Sequence, residues 1–309
     1  MSVAKNSTAT ATTATAELIR TGRFAPSPTG PLHLGSLVAA TGSYLDARHT
    51  GGRWLVRLED LDTARNIAGA DATILRTLEA FGFRADGLVT RQSERLALYE
   101  AAIGRLGQLG LVFHCRCSRR EIAAAGAGDE PRCVGACRGR PREPGKAALR
   151  VALDGLPGRS ILDRSGREVC FDPAVHTDVV VRRRDGVVAY PLAVVVDDAA
   201  QGVTDVVRGG DLLPSTAWQL GLQQALSLPA PRYLHLPVVV EPGGAKLAKS
   251  RRALPLDVAS APSLLLRALE LLGQPRPDEP SRGTVGSLWA FAIPHWNPEG
   301  ASRLAEVTA

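Results

Sequence analysis

A thirteen-residue stretch, Arg23 to Gly35, carries residues that could bind an anion. It reads as a short strand, a turn rich in proline and glycine, and the first residues of a helix. Such a turn brings backbone N–H groups and the positive end of a helix dipole to one point, where a phosphate or a carboxylate can bind. His33 could hydrogen-bond a phosphate oxygen, and Gly35 leaves space for a purine against the backbone. A lone His-x-Gly is more often part of a structural turn, so the length of the stretch is what favours a binding site.

The loop Glu241–Arg252 contains a second candidate, the segment Lys246-Leu-Ala-Lys-Ser250. Only four of the 37 basic residues are lysines, and two of those four lie in this loop. Two ammonium groups on a glycine-flanked loop could close on a polyphosphate and neutralise the charge that develops when pyrophosphate is displaced. The alternative is a solvated charged loop, which is the commoner meaning of Lys-x-x-Lys taken alone.

Four of the five cysteines lie within 23 residues and form a third candidate site: Cys115, Cys117, Cys133 and Cys137. The segment around them is short of apolar periodicity and cannot build its own core. Four thiolates there suit a closed tetrahedral Zn²⁺ site that would fold the segment. Free or redox-active thiols are the alternative, because the common Cys-x2-Cys spacing is absent, and His114 is a lesser candidate ligand. Cys170 is predicted to be a buried apolar residue on a strand.

The elements that must position these residues alternate between strands and helices, which predicts an α/β fold with a parallel sheet. A first strand begins near Gly22. Further strands are predicted at Trp54–Leu58, Ala148–Leu153, Asp178–Arg182, Leu192–Val196, Thr204–Val207 and Leu234–Val240. Helices are predicted at Leu34–His49, Ala70–Phe83, Glu94–Leu109, Ser215–Leu226, Pro262–Leu272 and Val285–Ile293. Because Asp197 and Asp198 follow a predicted strand, we expect them to organise a pocket or to cap a turn.

Composition excludes several classes of protein. With 45% hydrophobic and 22% charged residues among 309, the chain is neither disordered, collagen-like nor a coiled coil, and no apolar run is long enough for a membrane helix. The net charge of +6 is compatible with a nucleic-acid partner but does not require one. Five cysteines are too few for a disulfide framework, which favours a reducing, cytoplasmic compartment. The first 19 residues have the features of neither a signal nor a transit peptide and predict a disordered tail.

The His33 and Lys246 segments, in this order, resemble the HIGH and KMSKS signatures of class I aminoacyl-tRNA synthetases. The neighbouring sequence resembles the glutamyl branch of that family over about residues 20 to 258. The segments that carry this likeness are Arg23–Gly30, Val56–Asp62, Val195–Asp198, Thr204–Leu213 and Tyr233–Pro237. The resemblance implies a Rossmann-like parallel sheet with helices on both faces, and ATP- and Mg²⁺-dependent activation of L-glutamate to glutamyl-adenylate.

The resemblance also implies roles for individual residues. Catalysis and ATP binding fall to His33, Gly35, Ser36, Lys246, Lys249 and Ser250, of which His33, Lys246 and Lys249 are catalytic. Glutamate binding falls to Arg23, Phe24, Ala25, Pro26, Ser27, Glu59, Tyr190 and Arg208. Taken alone, Arg208 would be a solvated arginine at a strand end, and Glu59 with Arg57 a surface pair. Ser36 stands where the family commonly has a second histidine, so more of the phosphate contact is expected to fall to Lys249.

The predicted organisation is a tail at 1–19, a first catalytic half at 20–112, an inserted zinc-containing subdomain at 113–190, a second catalytic half at 191–258 and a short helical region at 259–309. The last region is too short for a helical anticodon-binding domain. This resembles a branch of paralogs that attach glutamate to the queuosine base of tRNA(Asp). The expected partners are therefore ATP, L-glutamate and queuosine-containing tRNA(Asp). No DNA or membrane partner is expected, and the protein is expected to be a monomer. The alternatives are a truncated glutamyl-tRNA synthetase charging tRNA(Glu) at its 3′ end, and a non-catalytic zinc-containing RNA-binding paralog.

Overall fold

The computed structural model of the chain describes residues 19–124, 132–134, 137–139, 147–240, 254–279, 283–302 and 306–308. Two buried apolar clusters organise these residues. The first cluster packs the N-terminal strands against the helices near the C-terminus. The second cluster consists mainly of residues between Tyr99 and Tyr233, in the middle of the chain. Among the described helices, none combines the length and apolar character needed to cross a bilayer.

A parallel sheet forms the centre of the first half. Strands β1 (Thr21–Phe24), β2 (Arg53–Leu58) and β3 (Thr90–Arg91) pair in the order β1-β2-β3. Strand β9 (Asp205–Gly209) lies on the other side of β1, where the N–H of Thr204 donates to the carbonyl oxygen of Thr21 at 2.9 Å. The predicted parallel α/β architecture is confirmed.

Helix α1 (Leu34–His49) connects β1 to β2 and has the predicted bounds. Ten of the eleven positions from Leu37 to Ala47 are buried, because strands and helices cover this helix on several sides. A Cβ added at Gly42 would lie 2.6 Å from Cδ1 of Leu236. Glycine at this position therefore lets the helix pack closely against the side chain of Leu236.

The middle of the chain forms antiparallel sheets. Strands β4 (Val112–Cys115), β5 (Ala148–Ala152) and β8 (Asp178–Arg182) make one sheet, and β6 (Arg159–Leu162) with β7 (Glu168–Phe171) make a two-stranded one. The burial prediction for Cys170 is wrong, since Cys170 is exposed. Successive side chains of a strand point to opposite faces, and in β7 the neighbours Val169 and Phe171 take the buried face.

The predicted strand Leu192–Val196 is also wrong, because these residues belong to helix α5 (Tyr190–Ala200). All residues from Leu192 to Asp198 are buried, so the helix shows no amphipathic period and its valine run imitates a buried strand. Pro191 at the start of the helix is a signal for the correct assignment. Asp197 and Asp198 consequently lie within a helix and do not cap a turn.

The remaining elements complete the layers. Helices are α2 (Ala70–Ala80), α3 (Leu96–Gln108), α4 (Arg119–Ala124), α6 (Leu213–Leu226), α7 (Ala261–Leu271) and α8 (Val285–Ala292). Strands are β10 (Arg232–Leu236), parallel to β9, and β11 (Val238–Val240), parallel to β12 (Glu306–Thr308). The single predicted strand Leu234–Val240 is thus two strands, interrupted at Pro237, which has no N–H to give to a ladder.

Candidate active site and cysteine cluster

A cavity of about 790 Å³ lies at the carboxyl ends of parallel strands β1, β2, β9 and β10. This is the edge at which open parallel sheets bind ligands. Eleven of the residues proposed from the sequence line this one cavity: Arg23, Phe24, Ala25, Pro26, Ser27, His33, Gly35, Ser36, Glu59, Tyr190 and Arg208. Lys246, Lys249 and Ser250 lie outside the described residues.

His33 lies at the mouth of helix α1, where its Nδ1 accepts a hydrogen bond from the backbone N–H of Ser36 at 3.3 Å. Burial lowers the pKa of His33, so the ring is neutral at physiological pH. With Nδ1 used as an acceptor, Nε2 carries the proton and can donate. A Cβ added at Gly35 would meet the His33 ring at 3.1 and 3.2 Å, so the glycine makes room for this ring. The helix start therefore offers a neutral donor and backbone N–H groups to an anion.

Among the described residues, Arg208 on β9 is the cation that lines the pocket without an acidic partner. Its guanidinium donates to neutral groups: Tyr190 Oη at 3.3 Å, Thr216 Oγ1 at 2.7 Å, Gln219 Oε1 at 2.8 Å and His235 Nε2 at 3.4 Å. Arg208 is buried, and none of the described carboxylates lies within 4.0 Å of it. A buried charge without a counter-ion is costly, so this site favours an anionic ligand.

Four of the five guanidinium N–H groups of Arg208 are used by those neighbours, and one Nη1 hydrogen remains. Tyr190 accepts from Arg208, which leaves its own hydroxyl proton free to donate. Both residues line the cavity, so one N–H of Arg208 and the O–H of Tyr190 are available to the same ligand. A carboxylate can accept both.

Glu59, directly after β2, provides the opposite charge. Its backbone N–H donates to the carbonyl oxygen of Pro26 at 2.9 Å, which fixes it beside the Arg23–Ser27 segment. Burial raises the pKa of Glu59 to about 7, against the pull of Arg57, whose Nη2 lies 3.8 Å from the Glu59 carboxylate. The side chain is only 12% exposed. A ligand ammonium group would replace the missing hydration and favour the ionised carboxylate.

Two buried arginines and Asp198 hold this acidic side of the pocket in place. Asp198 Oδ1 lies 2.8 Å from Nη2 of Arg57 and 3.3 Å from Nε of Arg23. Although burial favours the protonated acid, these two cations lower the pKa of Asp198, which is therefore ionised. Arg57 is fully buried, so the surface-pair alternative for Arg57 and Glu59 is wrong. The expectation that Asp198 organises the pocket agrees with these contacts.

Asp197 does not line the cavity and organises the helices behind it. It accepts hydrogen bonds from Gln92 at 2.8 Å, Arg95 at 2.6 Å and Tyr99 at 2.8 Å. Its side chain is fully buried. Asp197 ties the start of α3 to α5, and so stabilises the helix that carries Asp198.

Of the groups that accept hydrogen bonds from Arg208, Tyr190 was predicted from the sequence, whereas Thr216, Gln219 and His235 were not. Thr216 and Gln219 are fully buried on helix α6, together with Gln223. Their spacing of three and four residues places polar side chains on one buried helix face, a signal that could have identified them. His235 on β10 stood within a motif quoted for the family likeness but had no assigned role.

The four cysteines come together as predicted. Their sulfur atoms all lie within 4.8 Å of one another, with Cys117 Sγ 3.7 Å from Cys133 Sγ and 3.8 Å from Cys137 Sγ. Four thiolates around one Zn²⁺ at about 2.3 Å would be about 3.8 Å apart, so the donor set and spacing fit such an ion. The cluster could bind a metal. His114 is not part of it.

Comparisons with known proteins agree with this geometry. The family model for the catalytic domain of class I tRNA synthetases (E and Q) matches residues 19–273. A glutamyl-Q tRNA(Asp) synthetase of Pseudomonas paraeruginosa is 50% identical over 285 residues, which cover 92% of this chain and 96% of that protein. The protein of the same name from Ectopseudomonas mendocina is 51% identical over 284 residues, which cover 89% of this chain and 92% of that protein. The one from Dechloromonas aromatica is 50% identical over 287 residues, which cover 91% of this chain and 95% of that protein.

Solved structures share the fold at lower identity. A glutamate tRNA ligase of Elizabethkingia meningosepticum, crystallised with its amino acid, superposes with a TM-score of 0.72 at 24% identity, over 94% of this chain and 67% of that one. The glutamate–tRNA synthetase of Elizabethkingia anophelis gives a TM-score of 0.73 at 23% identity, over 95% of this chain and 68% of that one. The synthetase fold predicted from the sequence is confirmed. The chain belongs to the class I tRNA synthetases of the glutamyl and glutaminyl group, and within that group to the family of the glutamyl-Q tRNA(Asp) synthetases.

Proposed function

We propose that this protein is an ATP-dependent ligase that activates L-glutamate and transfers it to the queuosine base in the anticodon loop of tRNA(Asp). The observation that carries the glutamate part is the buried Arg208, which has only neutral partners among the described residues and faces the cavity beside Tyr190. The acceptor part is supported by the names of relatives that are about half identical and match over nearly their whole length.

The pocket supports one orientation of glutamate. Arg208 and Tyr190 together take one carboxylate, and Glu59 takes the ammonium group, since these are the complementary charges that line the cavity. The α-carboxylate must remain free as a nucleophile, and a strong bond to a buried guanidinium would weaken it. Arg208 therefore takes the side-chain carboxylate. The side-chain amide of glutamine would direct its own N–H groups at the donors of Arg208 and Tyr190, so the pocket disfavours glutamine.

Activation follows at the start of helix α1. An oxygen of the α-carboxylate attacks the α-phosphorus of ATP, the bond to the β-phosphate oxygen breaks, and pyrophosphate leaves. The Nε2–H of His33 and the backbone N–H groups of the helix start stabilise the charge on the phosphate oxygens. Mg²⁺ enters with the ATP phosphates as part of that substrate. Gly35 and Ser36 complete the nucleotide side of the cavity, and Lys246, Lys249 and Ser250 are the proposed contacts of the leaving pyrophosphate.

Transfer then needs a hydroxyl acceptor and no protein nucleophile. A hydroxyl oxygen of the queuosine cyclopentene ring attacks the carbonyl carbon of the adenylate, loses its proton, and AMP leaves. Arg65 and Arg183 line the same cavity as the glutamate-binding residues, and the chain carries a net charge of +6. Such cations hold a phosphate backbone but do not select a base. Selection therefore requires an unstacked nucleotide entering the cavity, the usual mode for single-stranded RNA loops.

The cysteine cluster is proposed to hold one structural Zn²⁺. The N–H of Cys133 points at both carboxylate oxygens of Asp178, at 3.1 and 3.2 Å, and Asp178 also pairs with the buried Arg150 on β5. These contacts anchor one ligand to the antiparallel sheet. The metal would supply fold stability to the segment that carries the cluster and no chemistry in the cavity. The domain limits are proposed as 20–112, 113–190, 191–258 and 259–309, and the protein is proposed to be monomeric and cytoplasmic.

Charging with radiolabelled glutamate tests the function. Purified tRNA(Asp) with queuosine should be labelled in the presence of ATP, and the same tRNA with guanosine in place of queuosine should not. An anticodon stem-loop carrying queuosine should also serve as a substrate, and the labelled bond should be alkali-labile as an ester is. Enzymatic removal of the 3′-terminal adenosine should leave labelling of the tRNA unchanged.

The same assay separates the alternatives. Labelling of tRNA(Glu) that periodate oxidation abolishes would show a conventional synthetase acting on the 3′ end. No labelling of any tRNA, with no glutamate-dependent exchange between ATP and pyrophosphate, would show a protein that has kept the fold without the chemistry.

A further inference from the structure

His235 and Asp163 form a buried pair directly behind the cation of the glutamate pocket. His235 Nδ1 lies 2.7 Å from Asp163 Oδ2, and both side chains are fully buried. On the other edge of the ring, Nε2 lies 3.4 Å from Arg208 Nε and 3.1 Å from Thr216 Oγ1. Neither His235 nor Asp163 lines the cavity. The pair can therefore reach a substrate only through Arg208.

The chemistry of the neighbours fixes the tautomer of His235. The guanidinium N–H of Arg208 can only donate, so Nε2 must offer its lone pair. Nδ1 then carries the proton and donates it to the carboxylate of Asp163. Asp163 has further donors that keep it ionised and in place, since the N–H groups of Ser165 and Arg167 donate to its other oxygen at 2.8 and 3.1 Å. The ring is therefore neutral. Its Nδ1–H donates to Asp163, and its Nε2 accepts from Arg208.

A neutral ring preserves the charge of Arg208. The charged groups that face His235 are Asp163 in the turn after β6, Arg208 on β9, and Arg167 before β7. Burial lowers the pKa of His235, Asp163 opposes that effect, and the two arginines add to it. The Tyr233 ring is parallel to the His235 ring, with the centroids 5.9 Å apart. No described group on this side of Arg208 brings a negative charge into direct contact with the guanidinium.

We infer that His235, oriented by Asp163, is a positioning residue that fixes the guanidinium plane of Arg208 and so sets the preference for glutamate over glutamine. The inference rests on the proposed function, because Arg208 must be the group that binds the substrate side chain. If Nε2 carried a proton, it would face the Nε–H of Arg208 as donor against donor. The guanidinium would then rotate, and its remaining Nη1 hydrogen would no longer point into the cavity beside Tyr190.

Two substitutions separate the two edges of the ring. Gln at position 235 can place an amide oxygen near Nε2 and keep an acceptor for Arg208, whereas Asn can place its amide near Nδ1 and keeps only the contact to Asp163. His235→Asn should raise the KM for glutamate about tenfold, the scale of one hydrogen bond to a charged group. It should leave the KM for ATP unchanged and lower the preference for glutamate over glutamine. His235→Gln should stay closer to the wild type in all three.

His176→Asn is the matched control, because His176 is also a buried histidine but does not line the cavity and packs against Phe171 and Trp218. It should leave both KM values and the amino-acid preference unchanged. Equal effects of His235→Asn and His235→Gln would overturn the inference, and so would unchanged selection in His235→Asn.

A measurement on the wild-type protein keeps the inference testable if the variants do not fold. Nitrogen-15 NMR of the histidine rings should show one ring protonated at Nδ1 and not at Nε2, and unchanged between pH 6 and pH 8. A His235 ring that is doubly protonated, or protonated at Nε2, would refute the positioning role. This result does not depend on activity, whereas absence of glutamate-dependent exchange in the wild type would refute the proposed function itself.

Discussion

Glu59 makes the affinity for glutamate depend on pH in a defined direction. Its pKa of about 7 in the empty pocket means that much of it is protonated at neutral pH. A protonated Glu59 offers no charge to the substrate ammonium, so binding must first remove the proton. Below pH 7 this linkage weakens apparent affinity by about tenfold for each pH unit. We expect the dissociation constant for glutamate to be about tenfold higher at pH 6 than at pH 8, and nearly constant above pH 8.

Calorimetric titration of glutamate without ATP measures this effect directly. Titration at pH 6 in two buffers that differ in ionisation enthalpy should show release of nearly one proton for each glutamate bound. The ammonium and carboxylate groups of free glutamate do not titrate in this range, and His33 has a lowered pKa, so neither supplies the proton. Glu59→Gln should bind more weakly and without a slope between pH 6 and pH 8.

Two results would refute this reasoning. Affinity that is flat from pH 6 to pH 8 in the wild type would mean that Glu59 is already ionised in the empty pocket. A slope that persists in Glu59→Gln would mean that another group releases the proton. Both results leave the glutamate specificity of the pocket untouched, because that specificity depends on Arg208.

Three further predictions concern other parts of the protein. Arg208→Lys should raise the KM for glutamate by about tenfold and Arg208→Ala by about a hundredfold, measured by ATP–pyrophosphate exchange. The effect of lysine is smaller because lysine keeps the positive charge and loses only the planar guanidinium fork. Unchanged KM values would show that Arg208 does not bind the carboxylate. Lys249→Ala should lower that exchange by about 10²-fold at saturating glutamate, and little change would exclude a role for Lys249 in the transition state. Elemental analysis should find about one zinc per chain, lost when both Cys133 and Cys137 are changed to Ser, and zinc that survives this double change would contradict the four-thiolate site.

The stability of the empty protein offers a separate check on Glu59. The unfolded carboxyl has an ordinary pKa of 4.5 and the folded one a pKa of about 7. The folded state therefore holds the proton more tightly, and its contribution to stability is complete below pH 4.5 and lost as the pH rises through 7. Glu59→Gln should raise the melting temperature at pH 8 and change it little at pH 5. A melting temperature that falls equally at both values would contradict the raised pKa.

The sequence predicted the position of the candidate residues wherever local motifs determine it. The turn Arg23–Gly35 and helix α1 lie where they were expected, because the Pro/Gly turn and the helix start are determined by neighbouring residues. Arg57 lies on β2 and Glu59 directly follows that strand, and residues two apart in an extended chain share one face, a pattern that could have placed both beside the pocket. His235 and Asp163 are 72 residues apart and meet only in the folded chain, so no local pattern could pair them.

The misassigned helix α5 shows why the site needs the structure that it has. Tyr190 at its start contacts Arg208, and Asp198 near its end contacts Arg23, although eight residues separate them. As a helix these eight residues span about 12 Å, whereas the same number of residues in an extended strand would span about 26 Å. Only the helical form lets one element support both the carboxylate side and the ammonium side of the same pocket. The buried valines that obscured the helix in the sequence are the residues that hold it between the layers.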